Sequence, residues 1–297
     1  MKSGFVSLVG RPNAGKSTLL NRLVGTKVAI VSDKPQTTRN RILAVLNRPE
    51  GQVVFLDTPG IHRPLHRMNV RMVHLAMEAM REVDLVAVLV DVSQKAGGGD
   101  RYVLKLLKDV KLPVILVLNK IDLISKPSLL PIIDRYRREH DFVEIVPVSA
   151  LTGDGVDHLQ TVMLSHLPVG DPLYPPDYLT DQPERSYAAE IVREKLLHHV
   201  RDELTFTTGV VVDQFEEPRE GLIRIFCTIL VEHNSQKPIV IGRQAEMIKR
   251  IGIQAREELE RFFHARVFLD LRVKVRERWR EDERVLDQMG LPPTRQG

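Results

Sequence analysis

Residues 10–17 read Gly10-Arg11-Pro12-Asn13-Ala14-Gly15-Lys16-Ser17, with Thr18 next, and the run matches the phosphate-binding loop pattern. It follows the apolar residues 5–9 and precedes a helix expected over 17–24. The glycines let backbone N–H groups turn toward phosphates, and the start of the helix adds partial positive charge. We expect Lys16 to reach the β- and γ-phosphates and Ser17 to ligate Mg²⁺. The loop therefore predicts a site for a nucleoside triphosphate.

A second motif, Asp57-Thr58-Pro59-Gly60, ends the strand expected over 53–56. In open α/β sheets ligands bind at the carboxyl ends of the strands, so this motif belongs at the same edge as the phosphate loop. We expect Asp57 to hold Mg²⁺ through a water molecule and the Gly60 N–H to meet the γ-phosphate. The alternative is an ordinary turn at a strand end, since Asp, Pro and Gly all favour turns.

The base is predicted from Asn119-Lys120-Ile121-Asp122. A buried carboxylate at Asp122 accepts hydrogen bonds from the ring N–H and the 2-amino group of guanine. Adenine offers neither donor, so ATP should be rejected, and an adenine-nucleotide enzyme is the disfavoured alternative. We expect Asn119 to hold the loop and touch the base edge, and the stem of Lys120 to lie over the ring. Ser149-Ala150-Leu151 follows the next strand, and the Ala150 N–H is placed for the guanine carbonyl.

The pattern around these motifs predicts an α/β fold, a mixed P-loop sheet with helices on both faces. Most expected strands are continuous apolar runs, which indicates parallel strands buried on both faces, whereas 41–46 and 53–56 are joined by a turn short enough for an antiparallel hairpin. We predict three parts: a nucleotide-binding domain over 1–168, a proline-rich semi-rigid linker over 169–186, and a smaller α+β domain over 187–297.

Composition bounds the function less tightly. A net charge of +4 allows an anionic partner without identifying one. The single cysteine, Cys227, lies in an apolar run, which excludes an intrachain disulfide and suits a reducing cytosol. No stretch of about 18 apolar residues occurs, although peripheral membrane contact stays open. His62, His66 and His74 lack zinc-like partners at the right spacing, so we expect solvated histidines in a mobile loop.

Residues 239–252 of the smaller domain read Ile239-Val240-Ile241-Gly242-Arg243-Gln244-Ala245-Glu246-Met247-Ile248-Lys249-Arg250-Ile251-Gly252. This segment resembles the KH signature, in which a Gly-x-x-Gly turn clamps a nucleotide backbone. We expect a helix over 188–201, two strands, two further helices over 243–251 and 253–263, and a last strand over 267–275. Ala245 stands where the second glycine belongs, which is tolerable if that residue has helical dihedrals. The residues predicted to bind RNA are Ile241, Gly242, Arg243, Gln244, Ala245, Lys249 and Arg250.

Arg272, Lys274 and Arg276 alternate with apolar residues, so a strand would place all three cations on one face. We add them to the predicted RNA surface. A solvated edge strand guarded by charge is the alternative.

The four nucleotide motifs, in this order and spacing, resemble the translation-factor-like GTPases. Three further segments are Gln36-Thr37-Thr38-Arg39, Tyr178-Leu179-Thr180-Asp181, and Trp279 before Asp282-Glu283-Arg284. With these segments and the KH segment, which predicts an α+β domain of KH type II, the whole chain is similar to the Era family of bacterial GTPases. The resemblance implies a monomer that binds GTP, GDP and Mg²⁺. It also implies binding near the 3′ end of 16S rRNA, a role in 30S subunit maturation, a cytoplasmic location and loose association with the inner membrane.

The resemblance also implies residue roles. Lys16, Thr38 and Gly60 would be the catalytic groups, with Thr38 the Mg²⁺ ligand and Thr37 the alternate. Asn13 resembles an asparagine that helps hold K⁺ in some members, or it is a turn residue. Ile61 stands where Ras-like members have glutamine, and since isoleucine cannot orient water we expect slow intrinsic hydrolysis. A nucleotide-regulated RNA-binding module with negligible turnover is the rival.

Overall fold

The structure is a computed structural model that describes residues 1–95 and 97–293. The chain forms two compact units. The first comprises Met1–Val31, Gln36–Leu65 and Asn69–Asp181, and the second comprises Ser32–Pro35, His66–Met68 and Gln182–Gly297. Residues 294–297 of the predicted smaller domain lie outside the described residues.

The first unit is a mixed sheet covered by helices, which confirms the predicted P-loop architecture. Its elements are β1 (Lys2–Gly10), α1 (Lys16–Val24), β2 (Ile42–Arg48), β3 (Gly51–Asp57), α2 (Arg67–Ala79), β4 (Leu85–Asp91), α3 (Gly98–Leu107), β5 (Val114–Asn119), α4 (Leu129–Arg137), β6 (Glu144–Val148) and α5 (Val156–His166). The strand order is β2-β3-β1-β4-β5-β6, with β2 antiparallel to β3 and the other pairs parallel.

Alternate residues of the central strands supply two cores on opposite faces of this sheet. Phe55 and Val117 pack in one core with the apolar faces of α1 and α5. Their neighbours Leu56 and Leu116 pack in the other core, which includes Tyr136 of α4. Since both faces are covered, β4 and β5 are buried along their whole length. This arrangement explains the unbroken apolar runs in the sequence and fixes the strand ends that carry the motifs.

Much of the segment predicted to be a linker belongs to the first unit. The Val45 N–H donates to Leu179 O at 2.9 Å, and Thr180 Oγ1 donates to Leu43 O at 2.6 Å. The buried Gln52 side chain accepts from the amide of Tyr174 and donates to its carbonyl. The segment thus covers the edge strand β2 rather than forming a separate tether, which a proline count cannot reveal.

The second unit combines helices with a three-stranded sheet, which confirms the predicted α+β domain. Its elements are α6 (Glu184–His199), α7 (Leu204–Thr207), β7 (Gly209–Arg219), β8 (Leu222–Val231), α8 (Gln236–Ile241), α9 (Glu246–Phe263), β9 (Arg266–Val275) and α10 (Glu283–Gln288). The strand order is β7-β8-β9, antiparallel between β7 and β8 and parallel between β8 and β9. Among the described residues, no helix is both long and apolar enough to cross a bilayer.

One helix prediction was wrong. The sequence predicts two helices separated near Gly252, but α9 runs unbroken through that residue. The buried side chains Ile251, Ala255 and Leu259 recur every four residues across it and keep one apolar stripe on the core. A glycine in a helix costs only about 1 kcal/mol, which packing of this stripe outweighs.

Candidate functional site

The phosphate loop of the first unit joins β1 to α1. Gly15 is the N-cap residue of α1 and has φ 93°, a left-handed conformation that favours glycine. A Cβ at this position would lie 2.2 Å from Asn119 Nδ2, so the position has no room for a side chain. The Lys16 ammonium is buried inside the loop and donates to the carbonyls of Gly10 and Arg11, both at 3.4 Å. The loop is therefore closed around a desolvated cation.

Three oxygens meet beside that cation. Asp57 Oδ2 accepts from Ser17 Oγ at 2.8 Å and from Thr38 Oγ1 at 3.4 Å, and the two hydroxyl oxygens are 2.7 Å apart. The Asp57 carboxylate is fully buried, and its Oδ1 atom has no hydrogen-bond partner among the described residues. Hard divalent cations such as Mg²⁺ prefer oxygen ligands of these kinds, so the cluster fits a magnesium site. Thr38, rather than Thr37, is the threonine that joins it.

Burial perturbs both charged groups of this cluster. It raises the pKa of Asp57, although Lys16 and the hydrogen bonds from Ser17 and Thr38 oppose the shift. It lowers the pKa of Lys16, against the attraction of Asp57. Each charge is stabilised by the other. A magnesium triphosphate would add a further anion for Lys16 and a cation for Asp57.

Gly60 lies against the phosphate loop. A Cβ on Gly60 would come within 2.7 Å of the Cα of Pro12, so a larger residue would push the two loops apart. The next residue, Ile61, is completely buried in the core, and its N–H donates to Gly10 O at 3.0 Å. Its side chain is therefore inaccessible to solvent. Isoleucine also has no group that could hydrogen-bond to an attacking water molecule.

The loops expected to hold the base converge on Asn119. Its Nδ2 donates to Ala14 O at 2.8 Å, and its Oδ1 accepts from the Ala150 N–H at 2.9 Å. The second bond corrects one expectation, because an Ala150 N–H engaged by Asn119 is not aimed at guanine. Asp122 lies on a short 3₁₀ turn, Ile121–Leu123, and is exposed rather than buried. The guanine selectivity expected of Asp122 would therefore require a bound base to bury the carboxylate.

Two residues that support the loops of the site were not predicted from the sequence. Arg22 of α1 donates to the carbonyls of Ala150 and Leu151 and so fixes the loop after β6. Asp91, the last residue of β4, accepts from Lys120 Nζ at 2.8 Å. Neither lies within a motif, and only the fold brings them to the site.

The expectation of solvated histidines was wrong for His62. Its Nδ1 is 2.9 Å from Gly60 O, a geometry in which the ring donates, and Nε2 is then the acceptor for the amide of Gln36 at 3.2 Å. Asn69 Nδ2 also contacts Nε2. His74 lies 3.4 Å from Glu78 on the next turn of α2. Of these partners only Gln36, 26 residues from His62, is distant in the sequence, and the fold brings it to the ring.

In the second unit, the turn of residues 242–245 connects α8 to α9. Gly242 has φ 76°, and a Cβ there would lie 2.7 Å from the Cβ of Met247. The condition set for Ala245 is not met, because this residue has φ 62° and ψ 21° and is the left-handed N-cap of α9. Gln244 is also left-handed, with φ 49°. Two non-glycine residues therefore hold a conformation that favours glycine.

A groove of about 420 Å³ runs between α9 and β9. Lys249 lines it, as do three residues that the sequence did not indicate: Ile253, Arg256 and Phe268. Ile253 and Phe268 are about half exposed, so apolar surface is offered beside cationic groups. Arg272 and Lys274 are exposed farther along β9, Arg276 is exposed directly after its end, and none of the three lines the groove. Arg272 pairs with Asp270 and Arg276 with Asp282.

Comparison with known proteins bears on both units. A family model described as a 50S ribosome-binding GTPase matches residues 5–120, and a KH domain model matches residues 207–280. GTPase Era of Geobacter metallireducens is 51% identical over 290 residues, which cover 97% of each chain. The chain belongs to the Era family of GTPases. The Era protein of Staphylococcus haemolyticus is 46% identical, again over 97% of each chain.

Two solved Era structures are similar to this chain throughout. One is an Aquifex aeolicus Era variant bound to GDP·AlF4⁻, with a TM-score of 0.94, 40% identity, and coverage of 98% of this chain and 99% of that one. The other is Era in complex with MgGDPNP and nucleotides 1506–1542 of 16S ribosomal RNA, with the same score, identity and coverage. As in the rest of the Era family, the first unit is thus a GTPase domain and the second a KH domain.

Proposed function

We propose that this Era-family chain is a switch that binds GTP or GDP with Mg²⁺ and couples the nucleotide state to binding of the 3′ end region of 16S rRNA during 30S subunit maturation. The observation that carries the proposal is the convergence of Ser17, Thr38 and Asp57 oxygens beside buried Lys16, with the Asn119 loop hydrogen-bonded to the same phosphate loop. The Era complex with MgGDPNP and 16S rRNA nucleotides supports it.

Nucleotide binding would use both groups of loops. Ser17 and Thr38 would ligate Mg²⁺ directly and Asp57 through water, and the ion would neutralise charge on the phosphates. Asp122 would recognise guanine, with Lys120 over the ring. Because the Ala150 amide donates to Asn119, we assign the guanine carbonyl to the next amide, that of Leu151. The residues proposed to touch the nucleotide are Gly10, Arg11, Pro12, Asn13, Ala14, Gly15, Lys16, Ser17, Thr18, Asp57, Thr58, Pro59, Gly60, Asn119, Lys120, Asp122, Ser149, Ala150 and Leu151.

Hydrolysis would depend on Lys16, Thr38 and the Gly60 amide, which stabilise charge on the γ-phosphate. Burial of Ile61 in the core leaves no side chain at that position to orient water. We therefore propose slow intrinsic turnover, with GTP closing the segments around Thr38 and Gly60 and hydrolysis releasing them.

Asn13 supports a further proposal, a K⁺ ion beside the phosphates. The residue is exposed at the rim of the phosphate loop and holds φ 62°. GTP hydrolysis that is faster in K⁺ than in Na⁺, with the difference lost in Asn13→Ala, would support the site. Equal rates in both salts would rule it out and leave Asn13 as a turn residue.

RNA binding would involve the turn of residues 242–245 together with Ile241, Lys249 and Arg250. It would also involve Arg272 and Lys274 of β9 and Arg276 directly after it. Single-stranded RNA offers both bases and phosphates, which suits a groove that combines Phe268 and Ile253 with Lys249 and Arg256. Action as a monomer on the 30S subunit, a cytoplasmic location and peripheral association with the inner membrane rest on the family resemblance.

Calorimetry and phosphate release test the nucleotide half of the proposal. GDP should bind in the presence of Mg²⁺ and ADP should not, and GTP should be hydrolysed slowly, at a rate that an oligonucleotide from the 16S rRNA 3′ end changes. Absence of heat with guanine nucleotides would overturn the proposal. Turnover that stays undetectable with and without RNA would contradict the hydrolytic role and favour a regulated RNA-binding module.

A further inference from the structure

The buried carboxylate of Asp91 lies outside every nucleotide motif, at the end of β4 between the phosphate loop and the Asn119 loop. Its side chain is 1% exposed. Oδ1 accepts from the backbone N–H of Ser93 at 3.0 Å and from Ser93 Oγ at 2.5 Å. These two bonds fix the plane of the carboxylate and aim Oδ2 at its remaining neighbours.

Oδ2 meets one cation from each of two nucleotide loops. Lys120 Nζ lies 2.8 Å away, and Nη2 of Arg11 in the phosphate loop lies 3.9 Å away. Arg11 Nε is also 3.3 Å from Asp100 Oδ1, so Arg11 has a second carboxylate. Charge-assisted hydrogen bonds of the Lys120 kind are about twice as strong as neutral ones, particularly when water is excluded.

Lys120 needs such an anchor. It has φ 70° and ψ 36°, a left-handed conformation that is strained for a non-glycine residue. Lys120 also directly precedes the 3₁₀ turn that carries Asp122. The contact with Asp91 therefore stabilises the backbone bend that places the base-reading turn.

The charge state is consistent with this role. Burial alone would raise the pKa of Asp91, but the hydrogen bonds from Lys120 and Ser93 outweigh burial and hold the pKa below its usual value. Asp91 is thus an anion at neutral pH and forms a full ion pair with Lys120.

We propose that Asp91 is a positioning residue for guanine nucleotides, holding Lys120 across the base site and, through it, the turn that carries Asp122. The inference rests on the proposed nucleotide site and deepens it. GDP and GTP share the guanine that this part of the site would hold, so we expect the contact to contribute equally to the binding of both nucleotides. An interaction that stabilises the bound nucleotide and the transition state equally affects affinity alone. Its loss weakens nucleotide binding without slowing turnover at saturating GTP.

The test compares Asp91→Asn, Lys120→Met and the double variant, by titration with fluorescent N-methylanthraniloyl GDP and by GTP turnover at saturation. Asp91→Asn should weaken GDP binding about tenfold, in line with loss of a charged hydrogen bond, and change kcat less than about twofold. In the double variant the loss should exceed that of Lys120→Met by less than about twofold, because both changes remove one contact. Asp100→Asn, which faces Arg11 but not Lys120, is the matched control and should retain GDP affinity within about twofold.

Parent-like GDP affinity in Asp91→Asn, or losses that multiply in full in the double variant, would overturn the inference. A parallel fall in kcat would also contradict it. Thermal unfolding of each variant checks folding. If Asp91→Asn does not fold, Lys120→Met probes the contact from its other side, and normal GDP binding by that variant would overturn the inference too. Failure of the parent protein to bind GDP would instead contradict the proposed function itself.

Discussion

The nucleotide edge is the edge of the first sheet where the phosphate loop and Asp57 lie, and we propose that it binds phosphates. The turn of residues 242–245 in the second unit is also proposed to bind phosphates, yet the two regions differ in burial and strain. At the nucleotide edge, Lys16 and Asp57 are buried and opposite in charge, and the hydroxyl oxygens of Ser17 and Thr38 stand 2.7 Å apart. In the turn of residues 242–245, Arg243 and Gln244 are exposed, Gly242 and Ala245 are half-buried, and Gln244 and Ala245 hold left-handed backbone. A desolvated site concentrates binding energy in a few atoms, whereas an exposed one spreads it over many contacts.

The largest effect of a single change should therefore appear at the nucleotide edge. Lys16→Met keeps the apolar stem but removes the charge beside Asp57, and we expect GTP hydrolysis to fall at least 100-fold, the usual cost of losing a transition-state donor. Phosphate release at saturating GTP measures it. Lys249→Ala, which removes a lysine from the second unit, should hydrolyse GTP at the parent rate without RNA. Comparable losses in both variants would erase the contrast between the two regions.

Gly60→Ala should separate GTP from GDP. The added Cβ would meet the Pro12 backbone at 2.7 Å, so the loop must move away from the γ-phosphate. We expect hydrolysis to fall about 10- to 100-fold, with GDP affinity within about twofold of the parent, because GDP has no group at that position. Gly98→Ala is the matched control, since nothing lies within 4 Å of a Cβ there. Equal loss of GDP and GTP binding in Gly60→Ala would contradict this geometry.

Asp122→Asn should change base preference rather than overall binding capacity. The amide cannot accept from both guanine donors, and we expect GDP affinity to fall about 10- to 100-fold, with xanthosine diphosphate bound better than GDP. Competition titrations with the two nucleotides give the ratio. A variant that kept its preference for GDP would show that Asp122 does not read the base.

On the RNA side, single changes should be milder. Lys249→Ala should weaken binding of a 16S 3′-end oligonucleotide about three- to tenfold and reduce the salt dependence by about one phosphate contact. Anisotropy titrations over a range of salt concentrations measure both. An unchanged salt slope would remove Lys249 from the RNA surface.

The smallest effect tests backbone strain. Ala245→Gly should relieve a left-handed alanine and stabilise the protein by a few tenths to about 1 kcal/mol, reduced by the entropy of glycine in the unfolded chain. Ala255→Gly, the same substitution within the buried stripe of α9, should destabilise it by about 1 kcal/mol or more. Denaturant titrations give both values. Destabilisation by Ala245→Gly would mean that the alanine side chain makes a packing contact worth more than the strain.

The sequence predicted what depends on local motifs at strand ends. The phosphate loop, Asp57 and Asn119 all lie where their strands end, because continuous apolar runs define those ends. It could not predict Asp91 or Arg22, which reach the site only through tertiary packing. Nor could it show that Leu179 pairs with β2, or that Ala245 is left-handed, since propensity favours a helical alanine and the turn geometry of neighbouring Gly242 overrides it.

The central claim is that the nucleotide state of the first unit sets the RNA affinity of the second. Its most direct test is the dissociation constant of a 16S 3′-end oligonucleotide, measured on the whole chain with saturating GDP and with a non-hydrolysable GTP analogue, both with Mg²⁺. We predict at least about a fivefold difference, the lower end of ordinary coupling between two sites. Identical constants in the two nucleotide states would contradict the claim, even if both ligands bind tightly.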